Sequence, residues 1–226
     1  MLKSEIFNEF SSFVSFELEE SLLKLDDDYE WKGRGARETI DDRRSVSRVL
    51  NDVSTTFLGK EQLLKKFIKE WGGISRIKDE TIRGFVDIKN AENFVFRNDR
   101  IASASKALSI WNPTKYFIYD SHVGIALNEM WEKCLKTKEL KSPYVLCPSR
   151  SDKSKEVMNF LKEKDLVRRD WEGGGKKGFY FDWYVPLVIK VSGCYEKEYP
   201  EKVEMALFDY GGGGKSQRRG RCCKKH

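Results

Sequence analysis

Residues 105–123 read SKALSIWNPTKYFIYDSHV, and the order of features in this stretch decides the fold. The stretch starts within a helical pattern that ends at Asn112-Pro113, because the residue before a proline disfavours helical backbone angles. A run of aromatic residues follows, and Asp120 then stands where an N-terminal cap would open the next helix. The sequence therefore predicts a lysine-bearing helix, a break, and a second helix that begins at an aspartate.

Lys106 lies away from the face that Ile101, Ala104 and Leu108 define on the predicted helix. A lysine in such a place is ordinarily solvated, since lysines are rarely buried, but the non-core face of a helix is also where a cleft would form. Asp120, as a helix cap, is held ionised by the positive end of the helix dipole. The lysine before the break and the aspartate after it can thus point into one cavity.

Helical periodicity extends outward from this stretch over most of the chain. The predicted helices are Ile6–Leu25, Ala36–Val53, Lys60–Trp71, Asp99–Trp111, Ser121–Leu135, Lys153–Lys164 and Glu198–Leu207. Residues 74–96 fit short helices separated by Gly84, residues 172–178 fit a flexible loop, and residues 179–191 fit either a strand or a buried helix. The predicted fold class is therefore mainly α, with eight or so helices.

The charge of the chain is concentrated at one end. The formal net charge is +6, but residues 211–226 alone carry six Lys/Arg and no Asp/Glu, which leaves 36 basic against 36 acidic residues in the rest of the chain. We predict a single helical domain over residues 1–210, as one lobe or as two around a cleft, and a disordered basic tail over 211–226. The tail could bind phosphates non-specifically or be an out-of-frame end.

Several classes of protein do not fit the composition. Five scattered cysteines with no Cys-x-x-Cys pair, and only two histidines, do not match a disulfide framework, a zinc site or an iron–sulfur cluster, so we expect neither metal nor cofactor. The apolar runs are too short for a membrane helix, and polar residues interrupt the apolar positions of the N-terminus. We expect a cytoplasmic monomer that does not bind membranes.

The residues around Asp120 resemble a known family. Tyr119-Asp120-Ser121-His122-Val123 is similar to the aspartate segment of helix-hairpin-helix DNA glycosylases, and Ser105-Lys106 resembles the catalytic lysine segment of the 8-oxoguanine and endonuclease III types. Residues 101–127 as a whole resemble bacterial proteins with an 8-oxoguanine glycosylase fold. The resemblance implies a helix-hairpin-helix glycosylase-like helical fold with a central cleft and DNA as the partner.

The resemblance also implies roles for individual residues. Lys106 would attack the sugar and form a Schiff base, and Asp120 would stabilise the cation-like sugar. A flipped base needs a stacking pocket, although core packing is the more common role for any one aromatic residue. The candidate base-pocket and DNA-binding residues are Trp111, Tyr116, Tyr119, His122 and Trp183. Basic residues that could contact phosphate, without an assigned role, are Arg97, Arg100, Lys115, Lys176 and Lys177.

Three functions remain open from the sequence. The first is a DNA glycosylase, with or without AP-lyase activity, that excises an oxidised or otherwise modified base; the retention of Lys106 and Asp120 favours it. The second is a catalytically inactive glycosylase-fold module that reads modified or foreign DNA. Ala102 and Ala104 stand near the positions where the hairpin glycines are expected, which favours this second function. The third is a helical protein-interaction domain with no role on DNA.

Overall fold

The structure is a computed structural model, and it describes residues 3–86, 101–138, 178–195 and 199–212 together with Ile88 and Asn159. Its helices are α1 (Lys3–Asp28), α2 (Ala36–Asn51), α3 (Phe57–Lys65), α4 (Asp79–Val86), α5 (Ile101–Trp111), α6 (Ser121–Lys138), α7 (Val185–Ser192) and α8 (Pro200–Tyr210). A π-helical turn, Lys66–Trp71, extends α3, and another, Tyr180–Tyr184, precedes α7. These parts of the chain contain no β-strand, so the predicted mainly α class is confirmed.

Local signals explain where several helices begin. The hydroxyl of Thr56 accepts the backbone N–H of Gly59 at 3.1 Å and so caps α3. At the start of α2, the Glu38 carboxylate reaches back to the backbone N–H of Gly35 at 3.1 Å, which is half of a capping box. Each contact satisfies a backbone N–H that the helix itself leaves without a partner.

Two sequence predictions have a clear outcome in the structure. Gly84 does not separate helices: that prediction is wrong, because Gly84 lies inside α4, where a glycine costs only about 1 kcal/mol relative to alanine. Residues 179–191, left open as strand or helix, form the second π-helical turn and most of α7. The strand alternative failed because β-branched and aromatic residues also suit a fully buried helix.

The helices pack around α8 and α5. Helix α8 contacts α1, α6 and α7, while α5 contacts α2 and the π-helical turn that extends α3. Because α5 has neighbours on both sides, its predicted core face is buried and so is the opposite face. Only 4% of the surface of Lys106 is exposed to solvent. The alternative of a solvated lysine is therefore excluded.

Several predictions fall outside the described residues. These are the helix at 153–164 apart from Asn159, most of the loop at 172–178, the basic tail beyond Gly212, and the four basic residues Arg97, Arg100, Lys176 and Lys177. Gly178, the last residue of the predicted loop, is helical. Among the helices that the structure describes, none combines the length and the apolar character needed to cross a membrane.

Candidate active site

Lys106 and Asp120 meet as the sequence predicts. Lys106 projects from α5, and its Nζ lies 3.5 Å from Oδ2 of Asp120, with both side chains largely buried. The other carboxylate oxygen, Oδ1, accepts the backbone N–H groups of His122 at 2.9 Å and Val123 at 3.3 Å. Asp120 thus caps α6 with one oxygen and presents the other to the lysine, so its carboxylate is fixed before any ligand binds.

Two buried tyrosines hold the non-helical segment that leads to Asp120. The hydroxyl of Tyr180 donates to the carbonyl oxygen of Phe117 at 2.7 Å, and that of Tyr184 donates to the carbonyl oxygen of Ile118 at 2.6 Å. Burial, followed by the nearby Glu204 carboxylate, raises the pKa of both tyrosines, so they remain protonated donors. The aromatic residues after the break are therefore fixed through their backbone as well as their rings.

The N–H groups of the same segment are paired as well. Oε2 of Glu204 accepts the N–H of Ile118 at 2.7 Å, and the Ser105 hydroxyl oxygen accepts the N–H of Tyr119 at 2.9 Å. Glu204 is itself bound in a two-point pair by the fully buried Arg43, at 2.9 and 3.0 Å. Helices α2, α5 and α8 thus all contribute to the position of Asp120.

The buried Arg43–Glu204 pair balances two opposing effects. Burial raises the pKa of Glu204 above its ordinary range, while the guanidinium of Arg43 and the backbone N–H of Ile118 oppose this by favouring the carboxylate. Such pairs add little net stability compared with an apolar pair, but removal of one partner leaves an uncompensated buried charge. The pair therefore fixes geometry at the site more than it stabilises the fold.

A cavity of about 560 Å³ opens over the lysine and the aspartate. Its size lies within the range of small-molecule sites. Helices α5 and α8 and the start of α6 contribute lining residues. The others come from three places: the connection between α1 and α2, the end of the π-helical turn of α3 with the residues that follow it, and the segment before α6. The lining residues are Tyr29, Trp31, Trp71, Gly72, Gly73, Ile74, Ile101, Ala102, Lys106, Ile118, Tyr119, Asp120, Ser121, His122, Glu204 and Phe208.

Gly72 allows the lysine to lie where it does. A Cβ at this position would come within 2.8 Å of Cδ and 2.9 Å of Cε of Lys106, and within 2.8 Å of the carbonyl oxygen of Ile68. The backbone angles of Gly72, φ −79° and ψ −7°, are open to any residue. The glycine is therefore required by the close approach of the lysine stem and not by the conformation of the chain.

Tyr119 and His122 line the cavity, as predicted. Tyr119 is fully buried and makes edge contacts with Phe179 and Tyr184 at 5.1 and 5.0 Å between ring centroids. Nδ1 of His122 lies 3.3 Å from the carbonyl oxygen of Gly211, close to the end of α8. Both residues adjoin the lysine–aspartate pair.

The other three predicted pocket residues are not among those that line this cavity. The indole of Trp111 donates to the carbonyl oxygen of Phe85 at 2.9 Å, and Tyr116 packs its ring edge against Phe181 at 6.0 Å. Trp183 lies in the core stack, 5.4 Å from Phe10. The structure thus brings together Lys106, Asp120, Tyr119 and His122, and gives Trp111, Tyr116 and Trp183 packing contacts elsewhere.

Other cavity residues carried no functional signal in the sequence. Tyr29 and Trp31 fall in the α1–α2 connection, and Glu204 and Phe208 lie on a helix whose pattern indicated only amphipathic packing. The predicted helix Lys60–Trp71 ends where Gly72 and Gly73 follow, and glycines in that place indicate only a helix end. Proximity between these distant segments arises from tertiary packing, which a local pattern does not encode.

The described residues contain no group of three or more His, Cys, Asp or Glu side chains arranged to hold a metal ion. Comparison of the chain with protein-family models, with curated proteins and with solved structures gives no match.

Proposed function

We propose that the protein is a DNA glycosylase that excises a modified base by means of Lys106 and Asp120. One observation carries this proposal: Nζ of Lys106 lies 3.5 Å from Oδ2 of Asp120 in the wall of a cavity large enough for a small ring system. An amine and a carboxylate in such an arrangement suit base excision, in which an amine displaces the base and a carboxylate stabilises a cation-like sugar. DNA as the partner is part of the same proposal.

The proposed reaction begins when Lys106 passes a proton to Asp120, its ion-pair partner. The lone pair of the amine attacks C1′ of the sugar while the bond from C1′ to the base breaks, and the bonding electrons leave with the base, which takes the proton from Asp120. Asp120 then accepts a second proton from the attached nitrogen. Cleavage of the bond from C1′ to the ring oxygen, which takes this second proton, gives a Schiff base on Lys106.

The position of Asp120 supports a second role in the same step. Its Oδ1 is occupied by the N–H groups at the start of α6, so the carboxylate cannot turn away from the cavity as positive charge develops on the sugar. Preorganised charge of this kind contributes on the order of a hundredfold or more to a rate. The helix cap and the catalytic carboxylate would then be one group.

The test is borohydride trapping on a panel of oligonucleotides that carry oxidised and otherwise modified bases. Wild type should form a covalent adduct with at least one of them. Lys106→Gln should abolish the adduct and retain DNA binding, whereas Asp120→Asn, which still caps α6, should slow base release by about a hundredfold. Lys24→Gln, at an exposed lysine of α1, serves as the matched control and should behave as wild type.

Melting temperatures establish first that each variant is folded. If wild type releases no base from any oligonucleotide of the panel, yet wild type and both site variants bind DNA equally, the catalytic assignment fails and the inactive reader takes its place. If wild type does not bind DNA at all, both DNA functions fail and the protein-interaction domain is left.

A further inference from the structure

Tyr29 is a largely buried residue that lines the cavity, and its hydroxyl keeps some accessible surface. It follows α1, and only 6% of its surface is exposed to solvent. Its backbone N–H bonds to Leu25, but within the described parts of the chain its hydroxyl makes no hydrogen bond. Tyr180 and Tyr184, which are also buried, both donate to backbone carbonyls. Unlike these two, the Tyr29 hydroxyl is free to bond a molecule held in the cavity.

The surroundings of Tyr29 keep its hydroxyl protonated. Burial raises the pKa of the phenol above its ordinary value, the nearby Glu204 and Asp120 carboxylates raise it further, and Arg43 opposes them. The phenol therefore offers a neutral donor at the edge of the cavity. A ligand that fills the cavity covers this donor, so the ligand must bring an acceptor to it or leave it unpaired.

Aromatic rings in the same cavity suit a flat ligand. Trp31 and Phe208 meet edge to face at 5.0 Å between ring centroids, and the Trp31 indole is held by a hydrogen bond to the carbonyl oxygen of Trp71 at 3.3 Å. Fixed aromatic surfaces of this kind bind a heterocyclic ring by stacking, without selecting which ring it is. Selection then requires a polar group that contacts the edge of the ring.

We propose that Tyr29 is a specificity-determining residue whose hydroxyl donates a hydrogen bond to a carbonyl oxygen of the base held in the cavity. That the ligand is a base rests on the proposed glycosylase function. The chemical class that follows is the oxopurines and oxopyrimidines, which carry a ring carbonyl, in preference to bases that have none. A site built to pair with a polar group discriminates against an analogue that lacks it, since the buried group then stays unpaired.

The test compares free bases that differ by one carbonyl group. Hypoxanthine and 8-oxopurine each carry an oxo group that purine lacks, and binding is followed by NMR at the indole N–H signals of Trp31 and Trp71, which line the cavity. Wild type should bind at least one oxo base more tightly than purine. Tyr29→Phe, which removes only the hydroxyl, should reduce that preference by about tenfold and leave purine binding unchanged.

Tyr180→Phe is the matched control. It removes a hydroxyl that is bonded to the backbone, so it should lower the melting temperature and keep the preference for the oxo base, whereas Tyr29→Phe should not lower the melting temperature. An unchanged preference in Tyr29→Phe, or a wild type that binds none of the three bases, overturns the inference. If Tyr29→Phe loses the preference for the oxo base but wild type releases no base from DNA, the role of Tyr29 stands and the glycosylase function is rejected. If wild type is trapped on DNA through Lys106 but Tyr29→Phe keeps the preference, the glycosylase function stands and the role of Tyr29 is rejected.

Discussion

Replacement of Gly72 by alanine should displace the lysine, and so slow the proposed reaction, as well as destabilise the fold. The new Cβ would lie 2.8 and 2.9 Å from two carbons of the Lys106 stem, where ordinary contacts begin at 3.4 Å. The stem must therefore move by about 0.5–0.6 Å, and the carbonyl of Ile68, also 2.8 Å away, blocks the relief that a shift of the new methyl group would bring. Overpacking of this kind costs about 1–3 kcal/mol of the free energy of unfolding.

The effect on the reaction follows from the same displacement. A misplacement of 1 Å in a reacting group can cost about a hundredfold in rate, so roughly half that distance corresponds to about a tenfold slower trapping on lesion-bearing DNA. Denaturant unfolding and borohydride trapping, measured side by side, give both numbers. Gly84→Ala is the control, because a Cβ there has nothing within 4 Å and should leave trapping unchanged while stabilising α4 by about 0.5–1 kcal/mol. A Gly72→Ala variant that unfolds and traps like wild type would refute the reasoning.

Three further predictions concern the rest of the molecule. Arg43→Met should lower the free energy of unfolding in urea by about 3–5 kcal/mol, because it leaves Glu204 buried without its partner. Arg37→Met, at an exposed ion pair on the same helix, should lower it by less than about 1 kcal/mol, and equal losses would contradict this. Hydrogen bonds from two lysine side chains lower the pKa of Asp79 to about 2. Its contribution to the free energy of unfolding is therefore complete above the unfolded pKa near 4 and is lost as the pH falls through 2. An NMR titration midpoint near 4 for Asp79 would contradict this. Removal of the residues after Gly212 should leave the melting temperature unchanged and weaken DNA binding at low salt if the tail is native; a lower melting temperature would show that the tail packs on the domain.

The features that the sequence predicts well are local. The cap of α6 at Asp120 and the break at Asn112-Pro113 depend on a few adjacent residues, so pattern alone places them, and with them the lysine–aspartate pair. Gly84 shows the limit of the same rules. A glycine lowers the stability of a helix without ending it when the flanking turns are well packed.

The features that the sequence does not predict depend on distant contacts. Arg43 and Glu204 lie 161 positions apart, and each one alone is indistinguishable from a solvated charge on an amphipathic helix. The aromatic ring of Trp183 is compatible with a base pocket, but aromatic rings also fill cores, and Trp183 stacks in the core at 5.4 Å from Phe10. Tyr29 carries no sequence signal because a missing hydrogen bond is visible only in the folded chain.

The bonds that hold the segment before Asp120 have a consequence for the order of folding. Its backbone groups pair with the side chains of Tyr180, Tyr184 and Glu204, across 63, 66 and 86 positions of sequence. Contacts of such long range form late, since the loop they close must lose its entropy first. A chain still on the ribosome, with these residues not yet synthesised, would therefore carry Lys106 beside a segment that has not acquired its final shape. If Lys106 acts as proposed, its reactivity should arise only when α8 docks, so a nascent or half-folded chain would be inactive.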